Sequence, residues 1–275
     1  YTVSGGTNAV SQTQKQQMIV ILSGMFVAFL IIVAKFPPDI SFSDAVDIAG
    51  NMGKLNVVDF EFDLSNRYNL WSALLGGTFL FLSYFGTDQS QVQRYLSGKS
   101  LTQSRLGLLF NGLFKVPMQF AILFVGIMMF VFYQFNDAPL HFNKANVEVV
   151  KSSEYANEYA ELETELNNLS DQKRDAIYTV VENNKTGKDN VEAVATMNAA
   201  LSKEIDLRDQ AKELVKKVSD NGTIKLETED SDYVFITFVT THLPIGLIGL
   251  LLAVIFSAAM SSTASELNAL ATTSV

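Results

Sequence analysis

Four stretches of this sequence read as membrane spans. A helix rises about 1.5 Å per residue, so roughly 20 apolar residues cross about 30 Å of hydrocarbon. Gln16 to Ala34 carries no charge at all. Between Arg67 and Asp88 lies LWSALLGGTFLFLSYFGT. Leu106 to Phe135 is broken only by Lys115. The fourth stretch, between Asp232 and Glu266, ends HLPIGLIGLLLAVIFSAAMSSTAS. One such stretch fits the buried core helix of a soluble protein, but four in 275 residues do not. The expected fold class is an all-α membrane protein, a multi-pass helical bundle. Three helices, about 16–35, 69–92 and 105–135, make a transmembrane core over 1–135. Residues 233–275 hold an outer loop and a fourth transmembrane helix. The chain begins at Tyr1 without a signal segment, and it reads as an internal piece of a longer membrane protein.

The remaining segment, 136–232, differs in kind. It holds 21 acidic and 12 basic residues and so carries the whole net charge of −9. The rest of the chain nets zero. A basic nucleic-acid binder is excluded, because no face is available to neutralise phosphates. Tyr155, Tyr159, Leu162, Leu166 and Leu169 recur in steps of four and three. Val194, Met197, Leu201 and Ile205 do the same, and Ala211, Val215 and Val218 continue the stripe. NNKTGKDN, Asn183 to Asn190, separates the two runs. This pattern predicts two amphipathic helices folded as an antiparallel, extramembrane hairpin. Its charge reads as a solvated face, with a binding surface for an unknown partner as the alternative. Asn184-Lys185-Thr186 and Asn221-Gly222-Thr223 fit the glycosylation pattern, which in a chain of this size is a chance match.

Connectors fix the orientation. Gln93 to Arg105 contains Arg94, Lys99 and Arg105 and no acid, and short basic loops stay on the cytoplasmic side. The acidic hairpin is then outside. Phe36 to Asn69, with Pro37-Pro38 and six acidic residues, reads as a loop with one short helix after Ser43.

No cysteine is present, and His141 and His242 lack metal-ligand spacing. No nucleophile motif, zinc motif or phosphate loop appears, so neither an enzyme nor a cofactor is expected. Chemistry must instead come from polar groups in the spans, which are costly there. Ser83-Tyr84-Phe85-Gly86-Thr87-Asp88-Gln89 ends the second span. It is either an unwound helix end that binds ion or solute, with Tyr84 and Phe85 stacking on it, or an ordinary interfacial belt. Lys115 needs a partner: Asp88, Glu266, or the cytoplasmic interface that it reaches by snorkelling. Ser257 to Ser265 offers small residues for helix packing, and its hydroxyls and carbonyls are also hard ligands for a cation such as Na⁺.

Three blocks together resemble the sodium:solute symporter family. YTVSGGTNAVSQTQKQQ is similar to the start of that family's fifth core helix. YFGTDQSQVQRYLSGKS is similar to the signature at the cytoplasmic end of the sixth. LPIGLIGLLLAVIFSAAMSSTASELNALATTS is similar to the outer loop and eighth core helix. The resemblance covers about 1–135 and 230–275. It implies part of a LeuT-type inverted-repeat fold, core helices five to eight, with the hairpin as an insertion between the seventh and eighth. It also implies Na⁺ on the Ala258 carbonyl and the Ser261 and Ser262 hydroxyls. Tyr84 takes the position of a gate tyrosine. Phe85 and Phe81 stand where sugar-transporting relatives have tryptophan and asparagine, which argues against a plain hexose pocket. Lys115 falls where a sugar transporter of the family has a substrate-site lysine. Thr13-Gln14 replaces the family's Thr-Asp, and Asp88 or Glu266 remains for an ion path. The block from Gln91 to Gln134 is nearer to the branch that carries monocarboxylates, iodide and water-soluble vitamins.

The resemblance leads to a sodium-coupled symporter of the cell membrane, inner or plasma, importing a small organic solute such as a sugar, monocarboxylate or vitamin by alternating access. Its expected partners are the solute, sodium and the bilayer. The alternative is a membrane sensor with a symporter-like domain.

Overall fold

The computed structural model describes residues 2–56, 58–63, 69–96, 98, 100–222 and 225–274. Arg67, Lys99 and Thr223, used above for a span limit, the orientation and a glycosylation pattern, lie outside the described residues. Ten helices and no strand occur among the described residues. They are α1 (Thr2–Ala34), α2 (Phe42–Asn51), α3 (Leu70–Gly86), α4 (Gln89–Leu96), α5 (Leu101–Phe135), α6 (Lys144–Lys151), α7 (Ala156–Thr186), α8 (Val191–Asn221), α9 (Ser231–His242) and α10 (Ile245–Ser274). The chain is an all-α, multi-pass membrane protein. Ala9–Ala34, Leu101–Phe135 and Ile245–Ser274 are long and apolar enough to cross a bilayer. α3 and α4 pass the same test as a pair, bent by 59° at their junction.

Contacts divide the chain into two compact units. Unit one comprises residues 1–27, 56–124 and 244–275. Here α1 is interrupted at Gly6, whose φ of +50° suits a residue without a Cβ. α3 starts at an Asn69 cap, whose side chain accepts from the Ser72 N–H at 2.7 Å. α3 stops at Gly86. Asp88 Oδ1 then accepts from the Ser90 N–H at 2.9 Å and from its hydroxyl at 2.7 Å, which restarts the chain as α4. Where α1 meets α10, Gly24 leaves the room: a Cβ there would run into the Leu251 side chain.

Unit two comprises residues 28–55 and 125–243. Its centre is the antiparallel pair α7 and α8. Gly187, at φ +68°, closes α7 in the left-handed conformation and donates to the Asn183 and Asn184 carbonyls. Tyr159, Leu162, Leu166 and Leu169 bury against Ala200, Leu207, Ala211, Leu214 and Val215. The buried stripe of α8 departs from the periodicity read in the sequence. Ile205 is 48% exposed, and Ala200, Glu204 and Leu207 take the inner face. A charged pair is the reason. Lys173 of α7, 2% exposed, reaches the Glu204 carboxylate, and Arg208 Nε donates to the other oxygen at 3.0 Å. Each ion is buried with its partner, as burial of charge requires.

Around the pair, α2 carries a reciprocal Ser41–Asp44 capping box. Lys185 at the end of α7 donates to the Asp39 carbonyl at 2.9 Å and pairs with Asp44 at 3.2 Å. Phe238 of α9 is fully buried and meets Phe132 edge-on at 5.2 Å. The sequence signals neither α6, which is only eight residues long, nor α9, which merges with the apolar stretch that runs on into α10.

Candidate functional site

The residues singled out for function are described within unit one. α10 presents Ser257, Ser261 and Ser265 at intervals of four, so one face of the helix carries three hydroxyls. Ser257 accepts a 2.7 Å bond from Gln17 Nε2 of α1. Ser265 accepts a 2.8 Å bond from Arg94 Nη2 of α4. Ser261, between them, is 1% exposed, and its Oγ has no hydrogen-bond partner among the described residues. A buried hydroxyl normally finds a partner. Ala258 is half-buried and Ser262 exposed. One helical turn thus holds the buried Ser261 hydroxyl, the Ser262 hydroxyl on an exposed residue and the Ala258 carbonyl on a half-buried one, three oxygens of the type that hold a hard cation.

The aromatic residues gather at the bend between α3 and α4. Phe85 lies edge-on to Tyr84 at 5.1 Å and tilted against Phe81 at 6.1 Å. All three are exposed. Tyr95 of α4 returns a hydrogen bond to the Phe85 carbonyl at 2.7 Å, which holds the two arms of the bend together. The Tyr84 hydroxyl donates to Gln91 Oε1 at 3.0 Å. Lys115 of α5 lies over the Tyr84 ring, 5.9 Å from its centroid. An ammonium in an apolar span gains there from the ring's negative face. Asp88 and Glu266 were two of the three partners expected for Lys115, the third being the cytoplasmic interface. Lys115 forms an ion pair with neither carboxylate among the described residues. Asp88 caps α4 instead, and Glu266 is exposed. Thr13 bonds its own helix at the Ala9 carbonyl, and Gln14 is half-buried.

Several contacts were missed by the sequence reading. Gln17 was visible only as a polar residue at the start of an uncharged span. Arg94 was read for its charge alone, as a topology marker. Gln91 and Gln93 carried no signal; Gln93 Nε2 donates to Thr272 Oγ1 of α10 at 3.2 Å. Arg94 and Gln93 make α4 a polar bracket on α10, and only a fold shows that two helices 171 positions apart meet.

Comparison with known proteins gives a consistent set of relatives. The chain is 37% identical over 137 residues to a sodium/iodide cotransporter of Homo sapiens, covering 48% of this chain and 20% of that protein. It is 34% identical over 131 residues to sodium-coupled monocarboxylate transporter 2 of Mus musculus, covering 47% and 20%. It is 31% identical over 137 residues to a sodium-dependent multivitamin transporter of Oryctolagus cuniculus, covering 49% and 21%. The match therefore spans about one fifth of the length of these relatives. No family profile and no solved structure matches the chain.

Proposed function

We propose that the chain, similar over about half its length to sodium-coupled transporters, forms part of a sodium-coupled symporter of the sodium:solute symporter family. The symporter imports a small organic solute by alternating access. Sodium binds at the Ala258 carbonyl and the Ser261 and Ser262 hydroxyls, and Tyr84 closes the solute site from the inner side. Phe85, Phe81 and Lys115 line the solute path, and Asp88 and Glu266 lie along the ion's way out. The fold is the LeuT type, the membrane is the cell's inner or plasma membrane, and the acidic hairpin lies on its outer side.

The observation that supports the sodium site best is the Ser261 Oγ, buried and unpartnered on α10. A cation there recovers the interaction that burial has taken from the hydroxyl. Sodium then acts by differential binding: it stabilises the state that takes up solute, and its inward gradient drives the cycle. Membrane potential adds about 2.3 kcal/mol per charge per 100 mV. Relatives named for iodide, monocarboxylate and vitamin transport favour a small solute over a polymer.

The test is uptake by the full-length protein in proteoliposomes. Labelled monocarboxylates, iodide, vitamins, sialic acid and sugars are offered under an inward Na⁺ gradient and under a matched K⁺ gradient. One solute class should accumulate only with sodium. The Ser261→Ala/Ser262→Ala pair should then raise the sodium needed for half-maximal uptake several-fold. Sodium dependence that survives the pair unchanged rejects the assignment.

A further inference from the structure

We propose that α4 couples the sodium helix to the gate tyrosine, with Arg94 as the residue that carries the coupling. The proposal rests on the sodium and gate assignments made above and adds to them the part that links the two.

The link is helix α4, held by hydrogen bonds to α10 on one side and to Tyr84 on the other. Ser265 lies one turn beyond Ser261 on the same face of α10 and is itself buried. It accepts from Arg94 Nη2 at 2.8 Å. Two turns further along α10, Thr272 accepts from Gln93 at 3.2 Å. α4 is thus fastened to α10 at two heights by neighbouring residues. One turn back along α4, Gln91 receives the Tyr84 hydroxyl at 3.0 Å. Sodium helix and gate are therefore joined through α4: Ser265 to Arg94 by one hydrogen bond, Arg94 to Gln91 along one turn of rigid helix, and Gln91 to Tyr84 by a second hydrogen bond.

For this link to transmit anything, α4 must move as a unit against α3. The junction has the required form. The pair is bent by 59°, α3 ends at Gly86, and Asp88 caps α4 independently through Ser90. Rigid helix sits on either side of the joint, and the Tyr95 bond to the Phe85 carbonyl, which spans it, opens when α4 moves. An arginine suits the bracket. Its planar fork of donors holds a fixed direction, whereas an ammonium is a rotating point charge.

The consequence is reciprocal. While sodium holds Ser261 and Ser262, α10 holds α4, and α4 holds Tyr84 in its place. When α10 yields on sodium loss, α4 is released and the Tyr84 hydroxyl with it. By linkage, loosening Tyr84 must weaken sodium binding, although the phenol touches no sodium ligand.

Equilibrium binding of radioactive Na⁺ to the purified full-length protein tests this directly. Ser265→Ala and Tyr84→Phe should each raise half-saturating sodium about threefold, and the double variant should do little more than either single, as for residues in one network. Arg94→Gln should raise it about fivefold, and Arg94→Lys should restore part of the loss. Melting temperatures in sodium-free buffer should stay level across the set, so a general loss of fold is told apart. The Ser261→Ala/Ser262→Ala pair is the reference. If it leaves sodium binding intact, the sodium site is elsewhere and the inference falls with it. If the reference loses binding, two results overturn the coupling alone. One is unchanged sodium affinity in the Tyr84 and Arg94 variants. The other is a Tyr84–Ser265 double effect equal to the product of the singles.

Discussion

Replacing Glu204 with glutamine should destabilise the hairpin more than any other single change in its ion network, and a second substitution should partly repair it. Lys173 and Glu204 sit in the interface of α7 and α8, with side chains 3% and 11% exposed. Burial by itself would raise the Glu204 carboxyl, but the Lys173 ammonium and the Arg208 guanidinium outweigh it and hold the group below its ordinary value. Glu204→Gln keeps the volume and removes the charge. The Lys173 ammonium is then left in the core without its carboxylate. Breaking a buried pair from one side costs about 3–5 kcal/mol. Lys173→Met is milder, because Glu204 keeps Arg208, whose side chain is 20% exposed and also reaches the Pro139 and Leu140 carbonyls. The Lys173→Met/Glu204→Gln pair removes the stranded ammonium and should regain about 2 kcal/mol over Glu204→Gln alone. Hydrogen exchange of the full-length protein reads this, since the slowest amides of α7 and α8 report opening of the hairpin. At tenfold per 1.4 kcal/mol, Glu204→Gln should speed them about a hundredfold or more, and the pair clearly less. A pair that exchanges as fast as Glu204→Gln would refute the reasoning, because the cost would then not lie in an uncompensated charge.

Acid should loosen unit two through its carboxyls. Glu204 and Asp44 are both held below their ordinary values of 4.5 and 3.8. For Asp44, burial pushes upward but bonds from Ser41 and the Lys185 ammonium prevail. A carboxyl whose folded pKa is depressed contributes stability above the unfolded value, and that contribution is lost as pH falls through the folded one. Hairpin and α2 amides should therefore stay protected above about pH 5 and lose protection progressively below pH 4.5; protection factors, corrected for the intrinsic pH dependence of exchange, that stay level down to pH 3 would contradict this. Gly187→Ala meets no neighbouring atom but forces an L-residue to φ +68°. It should cost about 1 kcal/mol, read as faster exchange at the end of α7.

How much was legible beforehand follows the physics of each signal. Spans are long and uniform, so α1, α5 and α10 stood out by apolarity alone; the second stretch read as one helix over about 69–92, with an unwound end at Gly86 as one of two readings, and the structure breaks it there into α3 and α4. The hairpin's periodicity gave both helices and their turn, because Gly187 and its polar neighbours punctuate the pattern. It misread the inner face of α8, since Leu201 and Ile205 look more buriable than Glu204. Only the partner Lys173, 31 positions away, makes a glutamate a core residue. The same limit hid the bracket. Arg94 and Ser265 each have an ordinary local explanation, as a topology charge and a small packing residue. Their bond exists only because two distant helices meet. For Lys115 the sequence offered Asp88, Glu266 or the cytoplasmic interface; the aromatic face of Tyr84, brought over it by the fold, had no local signal.

One feature at the foot of the hairpin bears on how such a segment comes and goes. Asn146 donates to the Glu227 carbonyl at 2.6 Å, and the Phe142 N–H to the Asp230 carboxylate at 2.7 Å. The way in and the way out, 81 positions apart, touch. Everything between them is a detour that returns to its starting point. Closing such a gap needs only a short turn, and lengthening the detour adds little loop entropy, about 0.6 kcal/mol per doubling. An ancestor could gain or shed this side branch in one genetic event without redirecting α9 or the helix that follows. Size differences among kindred chains are expected to accumulate at this junction rather than inside the spans.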